Sequence, residues 1–130
     1  MNQYTKEQKK EYFQSLRNRW TEAKKQYSEN EITAVDAIIE THGLKISRFG
    51  FLFVKIQMEK QGLDGLPYLD AKTFLGWKKN GFMVKKGEKS TLDGITWIGV
   101  GEEEDSGKFE YMFPKQYHLF HRTQVEEIIN

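Results

Sequence analysis

The chain has 130 residues, 38% of them apolar and 30% charged, which suits one domain, residues 1–130, with its own core. Cysteine is absent, and this excludes a disulfide framework, thiolate metal sites and a cysteine nucleophile. The net charge of +1 hides a gradient, for residues 1–39 carry +1, residues 40–92 carry +5 and residues 93–130 carry −5.

Thr5-Lys6-Glu7-Gln8 has the form of a capping box. Tyr12, Leu16, Trp20, Ala23 and Tyr27 then recur at helical spacing, which predicts a helix over 6–27. Ser28-Glu29-Asn30-Glu31 is a second box, followed by the stripe Ile32, Val35, Ile38 and Ile39, with Gly43 suited to the left-handed position after the helix. Residues 47–61 carry two signals. Phe49, Leu52, Phe53 and Ile56 follow a helical period, whereas Phe51-Leu52-Phe53-Val54 also suits a buried strand. Length and the polar tail Gln57–Gln61 favour a helix, capped by Ser47, closed at Gly62 and central to the core.

Leu63–Leu69 reads as a loop. Asp70 is expected to cap a helix over 71–80, with Gly81 just beyond it. Residues 91–100 and 108–120 read as two strands joined by the acidic loop Gly101–Gly107. Thr123-Gln124-Val125-Glu126 is a third capping box and predicts a helix over the last residues. The whole reads as an α+β domain, a helical N-terminal half packed on a small antiparallel sheet.

Lys78, Lys79, Lys85, Lys86 and Lys89 crowd around a glycine-bearing turn, where ammonium groups can neutralise phosphates and Gly81 and Gly87 let a strand approach. Aromatic rings supply stacking faces for unpaired bases. Phe82 lies between lysines, Tyr68 lies in the loop after Pro67, and Trp97 and Tyr111 are expected to form a platform on an open face of the hairpin. Trp77 and Trp20 are expected in the core. His118 and His121 would lie on opposite faces of a strand with no third ligand, so no metal or other cofactor is expected. No nucleophile motif or acid–base pair stands out, so catalysis is not expected.

Two segments also carry a resemblance. Thr73-Phe74-Leu75-Gly76-Trp77, Asn80-Gly81 and Val84-Lys85-Lys86-Gly87-Glu88-Lys89, followed by Leu119-Phe120-His121-Arg122-Thr123-Gln124-Val125, resemble the N-terminal domain of ArdC-type anti-restriction proteins. The likeness covers roughly residues 44–126, with 1–43 as a helical extension. It implies binding of single-stranded DNA on plasmids, integrative elements or phages. The HExxH helix of the zinc peptidase domain in longer relatives does not occur here. RNA is an alternative ligand, and a host defence nuclease is the alternative partner, with the acidic last third imitating nucleic acid. No apolar run reaches the roughly 18 residues of a membrane span, and the polar N-terminus lacks a signal peptide's apolar stretch, so a cytoplasmic protein without a membrane partner is expected.

Overall fold

The structure, a computed structural model, describes residues 5–102 and 109–129. Its first three elements are the helices α1 (Lys6–Lys25), α2 (Glu29–His42) and α3 (Arg48–Lys60). The first two of the three predicted capping boxes form. Thr5 Oγ1 accepts from the Gln8 amide at 3.1 Å while Gln8 Oε1 accepts from the Thr5 amide at 2.9 Å, and Ser28 and Glu31 do the same for α2. Gly43 closes α2 at φ 60°, a left-handed conformation that a Cβ would penalise.

The ambiguous segment is helical. Ser47 Oγ accepts from the Gly50 amide at 3.0 Å. Phe51, Leu52, Phe53, Val54, Ile56 and Met58 are all buried, so α3 is apolar on several sides. Phe53 and Ile56 meet Leu16 and Ala23 of α1 and Ile95 of the sheet. Phe51 and Leu52 meet Val35 of α2, and Val54 and Met58 meet Ala71, Leu92 and Leu119. One helix thus serves every part of the core, each buried large side chain contributing roughly 1.5–3 kcal/mol.

Strands β1 (Ala71–Lys72), β3 (Leu92–Glu102) and β4 (Phe109–His121) form an antiparallel sheet in the order β1-β4-β3, and β2 (Phe82–Val84) pairs separately with β5 (Val125–Glu127). The hairpin register sets Leu92 opposite Leu119, Trp97 opposite Pro114 and Val100 opposite Tyr111. At its start the outer edge of β3 is covered by side chains of α3 instead of a strand. Gln57 donates to the Asp93 carbonyl at 2.8 Å and accepts from the Asp93 amide at 3.0 Å, and Gln61 donates to the Thr91 carbonyl at 2.8 Å.

Two expected helices differ. Asp70 is not a helix cap: its carboxylate accepts the Leu66 amide at 2.8 Å and Arg122 Nε at 2.8 Å, and the chain then enters β1. Thr73 caps instead, its Oγ1 accepting the Gly76 amide at 3.0 Å, and α4 (Phe74–Lys79) has only six residues. The third box opens no lasting helix either. Residues Arg122–Gln124 make one 3-10 turn, with His121 and Gln124 as its capping box, and Val125–Glu127 then extend as β5 because they pair with Phe82–Val84. Gln124 accepts from the His121 amide at 2.9 Å and donates to the Lys89 carbonyl at 2.7 Å. The acidic hairpin loop at 103–108 lies outside the described residues. No helix among those described is long and apolar enough to cross a membrane.

Candidate nucleic-acid interface

The lysine-bearing turn is held from behind by Gln124. Phe82–Val84 pairs with Val125–Glu127, and the Lys85 amide continues the ladder to the Gln124 carbonyl at 2.9 Å. The Glu88 amide then donates to the Lys85 carbonyl at 3.1 Å across a turn whose Gly87 sits at φ 86°. Lys78 and Lys79 end α4, and Gly81 at φ 85° turns the chain into β2. All five lysines are exposed. Five cations form ion pairs among the described residues, namely Arg19, Lys25, Arg48, Lys55 and Arg122, and none of the turn's lysines is among them. Only Lys85 is partly engaged, donating to the Thr123 carbonyl at 3.2 Å. On the other side of β2, β5 places Glu127 opposite Phe82 and Glu126 opposite Met83. The positive charge is therefore concentrated on the turn and the end of α4 rather than along β2.

Beside the turn lies an open groove of about 720 Å³ between α4 and β4. Phe74, Leu75, Tyr117 and Phe120 line it, with Thr73, Lys89, Ser90 and His118 as its polar groups. Phe74 is 54% exposed and Leu75 64% exposed, unusual for adjacent large apolar residues on a helix. Sequence reasoning missed both. Helical spacing sets Phe74 three residues from the buried Trp77 and so groups it with the core, but a helix of six residues is too short to bury a full stripe. Their exposure beside the lysines is a property of the fold that no local pattern reports.

The structure places the expected stacking residues differently from one another. Tyr111 is 56% exposed. Trp97 is half-buried, edge-on to Trp20 at 5.7 Å and packed on the cluster of Leu16, Phe53 and Ile95. Residues directly opposite in an antiparallel pair share a face, and faces alternate along a strand. Tyr111 lies opposite Val100, three residues from Trp97, so the two rings belong to opposite faces. The expected Trp97–Tyr111 platform does not form. Phe82 is half-buried and meets Trp77 edge-on at 5.4 Å. Tyr68 is the one non-glycine residue with a left-handed backbone among those described, at φ 66°. Its hydroxyl hydrogen-bonds that of Tyr117, and burial pushes its phenol far above the usual value, with Tyr117 adding to the shift.

Trp77 lies in the core as expected, and Trp20 is half-buried against it. Trp77 is 1% exposed and its indole donates to the Phe120 carbonyl at 2.7 Å. The side chains of Lys72 and Arg122 lie over its ring at 5.7 and 5.3 Å. His121 is buried. The Thr123 amide donates to its Nδ1 at 3.3 Å, which leaves Nε2–H to donate to the Asp64 carbonyl at 2.7 Å. His118 is exposed in the groove. Among the described residues no three His, Asp or Glu side chains converge as a metal site would require.

A second groove, of about 740 Å³, runs between α1 and α3. Its least exposed charged groups, Arg19 and Asp93, are matched to each other. Arg19 donates to both oxygens of Asp93 at 2.7 Å, and Gln116 also donates to Asp93. That bidentate bond raises the Arg19 pKa, against the opposing effect of burial. This groove ties α1 to the sheet. No protein family, curated protein or solved structure matches the chain in comparisons of sequence and fold.

Proposed function

We propose that the chain is a non-catalytic binding protein for single-stranded nucleic acid, with DNA as the first ligand to test. The observation that carries this reading is the cluster of five exposed lysines around one glycine turn, all without a carboxylate partner among the described residues. Cations left unpaired on a folded surface repel one another, and an incoming phosphate backbone relieves that repulsion and releases counterions. Glycine at the turn keeps side chains from blocking the approach. Lys78, Lys79, Lys85, Lys86 and Lys89 position phosphates and carry no sequence information, so binding is expected to discriminate weakly among sequences.

The resemblance to ArdC N-terminal domains supports the same reading and is the sole support for the finer claims. These are a setting on a mobile genetic element and an anti-restriction role. The rival proposal is a module that occupies a host defence nuclease, and exposed Phe74 and Leu75 are the observation in its favour. Titration of the protein into a labelled single-stranded oligonucleotide and its duplex, at low salt, tests the choice. Preferential binding of the single strand is expected, and no binding of either rejects the nucleic-acid reading.

A further inference from the structure

We propose that the groove between α4 and β4 seats an unpaired nucleobase, with Phe74 as the stacking face and Lys89 holding the adjoining phosphate. This rests on the single-strand reading above and adds to it the place where a base is held. Three observations lead there. Phe74 presents an aromatic ring that is more than half exposed, beside the equally bare Leu75, while the same helix buries Trp77 completely. The groove is open to solvent rather than enclosed, so a flat ring can lie against Phe74 without entering a cavity. The remaining apolar wall is supplied by Phe120 and by Tyr117, which is fixed by its hydrogen bond to Tyr68 and cannot swing out freely.

The polar groups of the groove decide the class of ligand. Thr73 is committed to the Gly76 amide, and the single Ser90 hydroxyl proton is taken by the carbonyls of Leu92 and Leu119, which both lie 2.7 Å from its oxygen. The Lys89 ammonium and the His118 ring have no hydrogen-bond or ion-pair partner among the described residues. What remains free is thus an aromatic face, an aliphatic neighbour, one cation and one imidazole, with Lys85 and Lys86 on the adjoining turn. A plain apolar peptide would leave that charge unanswered. A flat π system joined to an anion answers both halves, and that is a nucleotide within a single strand. Stacking on one ring accounts for roughly 5- to 150-fold in affinity.

The test compares a labelled oligodeoxythymidylate with an abasic sugar-phosphate strand of equal length. Four proteins are used, namely the wild-type chain, Phe74→Ala, Phe74→Trp and the triple variant Lys85→Ala, Lys86→Ala, Lys89→Ala. Thermal melts accompany the titrations, and exposed Phe74 is expected to be replaceable without a change in melting temperature. Phe74→Ala is expected to weaken the thymidylate strand about 5- to 150-fold and the abasic strand not at all, with Phe74→Trp restoring wild-type affinity. The triple variant is expected to weaken both strands. If Phe74→Ala leaves thymidylate affinity unchanged while the triple variant lowers it, the base seat is overturned and the lysine grip stands. If the wild-type chain binds neither strand at low salt, both are overturned and the groove passes to a protein segment.

Discussion

Gly94 is the position where one methyl group should disturb both the fold and the groove. It lies opposite Tyr117 on the hairpin, and the Tyr117 ring folds over it, so that an added Cβ would stand 2.5 Å from the ring's Cε2 and its hydroxyl oxygen. Carbon contacts are comfortable at about 3.5 Å, so the ring must withdraw by roughly 1 Å. It is not free to do so. Its hydroxyl is bonded to Tyr68, and both rings pack on Val54, Met58, Leu92 and Leu119. Overpacking of this kind costs about 1–3 kcal/mol, and loss of the tyrosine pair adds about 0.5–1.5 kcal/mol. Replacing a strand glycine returns about 0.5–1 kcal/mol of backbone entropy. The net expectation for Gly94→Ala is a loss of about 2 kcal/mol, or roughly 7 °C in melting temperature for a chain of 130 residues. Urea and thermal unfolding followed by circular dichroism measure it. The decisive control is the same substitution in a Tyr117→Ala background, where the clash is gone and the added methyl should stabilise by about 0.5–1 kcal/mol. An equal loss in both backgrounds, or no loss in the first, would refute the reasoning.

Three further outcomes follow from packing and charge. Trp97→Ala should cost about 3 kcal/mol of stability, because the ring packs on Trp20, Phe53 and Ile95, and affinity per folded molecule should be unchanged; a selective loss of binding with normal melting would contradict it. Asp93→Ala, which strips two hydrogen bonds from Arg19 and one from Gln116, should cost about 1.5–3 kcal/mol by urea unfolding and loosen α1, seen as faster amide exchange over Lys6–Lys25. Asp70 sets an acid limb. Burial raises its pKa, but the Leu66 amide and Arg122 outweigh that and hold it below the ordinary carboxylate value. Its contribution is therefore complete above about pH 4 and is lost as pH falls through the depressed folded value. Stability measured against pH should fall less steeply below pH ~4 in Asp70→Asn, and an unchanged slope would remove this carboxylate from acid unfolding.

The helices were legible because their signals are local. Thr5 with Gln8, and Ser28 with Glu31, satisfy one another within a single turn, and α3 was settled by its length and polar tail. Where the reading failed, a distant partner decided the matter. Asp70 and Thr73 are both good caps, and the choice between them follows from Arg122, which binds Asp70 from 52 residues away. The Thr123 box is locally sound, yet its reciprocal residue Glu126 lies in β5, which is claimed by β2, and the box that does form joins His121 to Gln124. Alternation correctly grouped Ile95 with Trp97 on one strand, but which face of one strand meets which of the next is a matter of register, and the Trp97–Tyr111 platform failed on that alone. Of the candidate interface, the lysine cluster was visible because its members are close in sequence. The groove was not, since Phe74 reaches Tyr117 and Phe120 only through the strand pairing of β1 with β4.

The central claim is that the turn's lysines grip phosphates. The most direct measurement is the dependence of single-strand affinity on salt for the wild-type chain and for the variant Lys85→Ala, Lys86→Ala, Lys89→Ala, followed by fluorescence anisotropy. Each neutralised phosphate of a single strand contributes about −0.7 to the slope of log K against log[salt], so three or four contacts give about −2 to −3. Removing three lysines should bring the slope to about −1 or flatter, with the melting temperature unchanged, since all three side chains are exposed. A variant that keeps the wild-type slope and affinity would contradict the account.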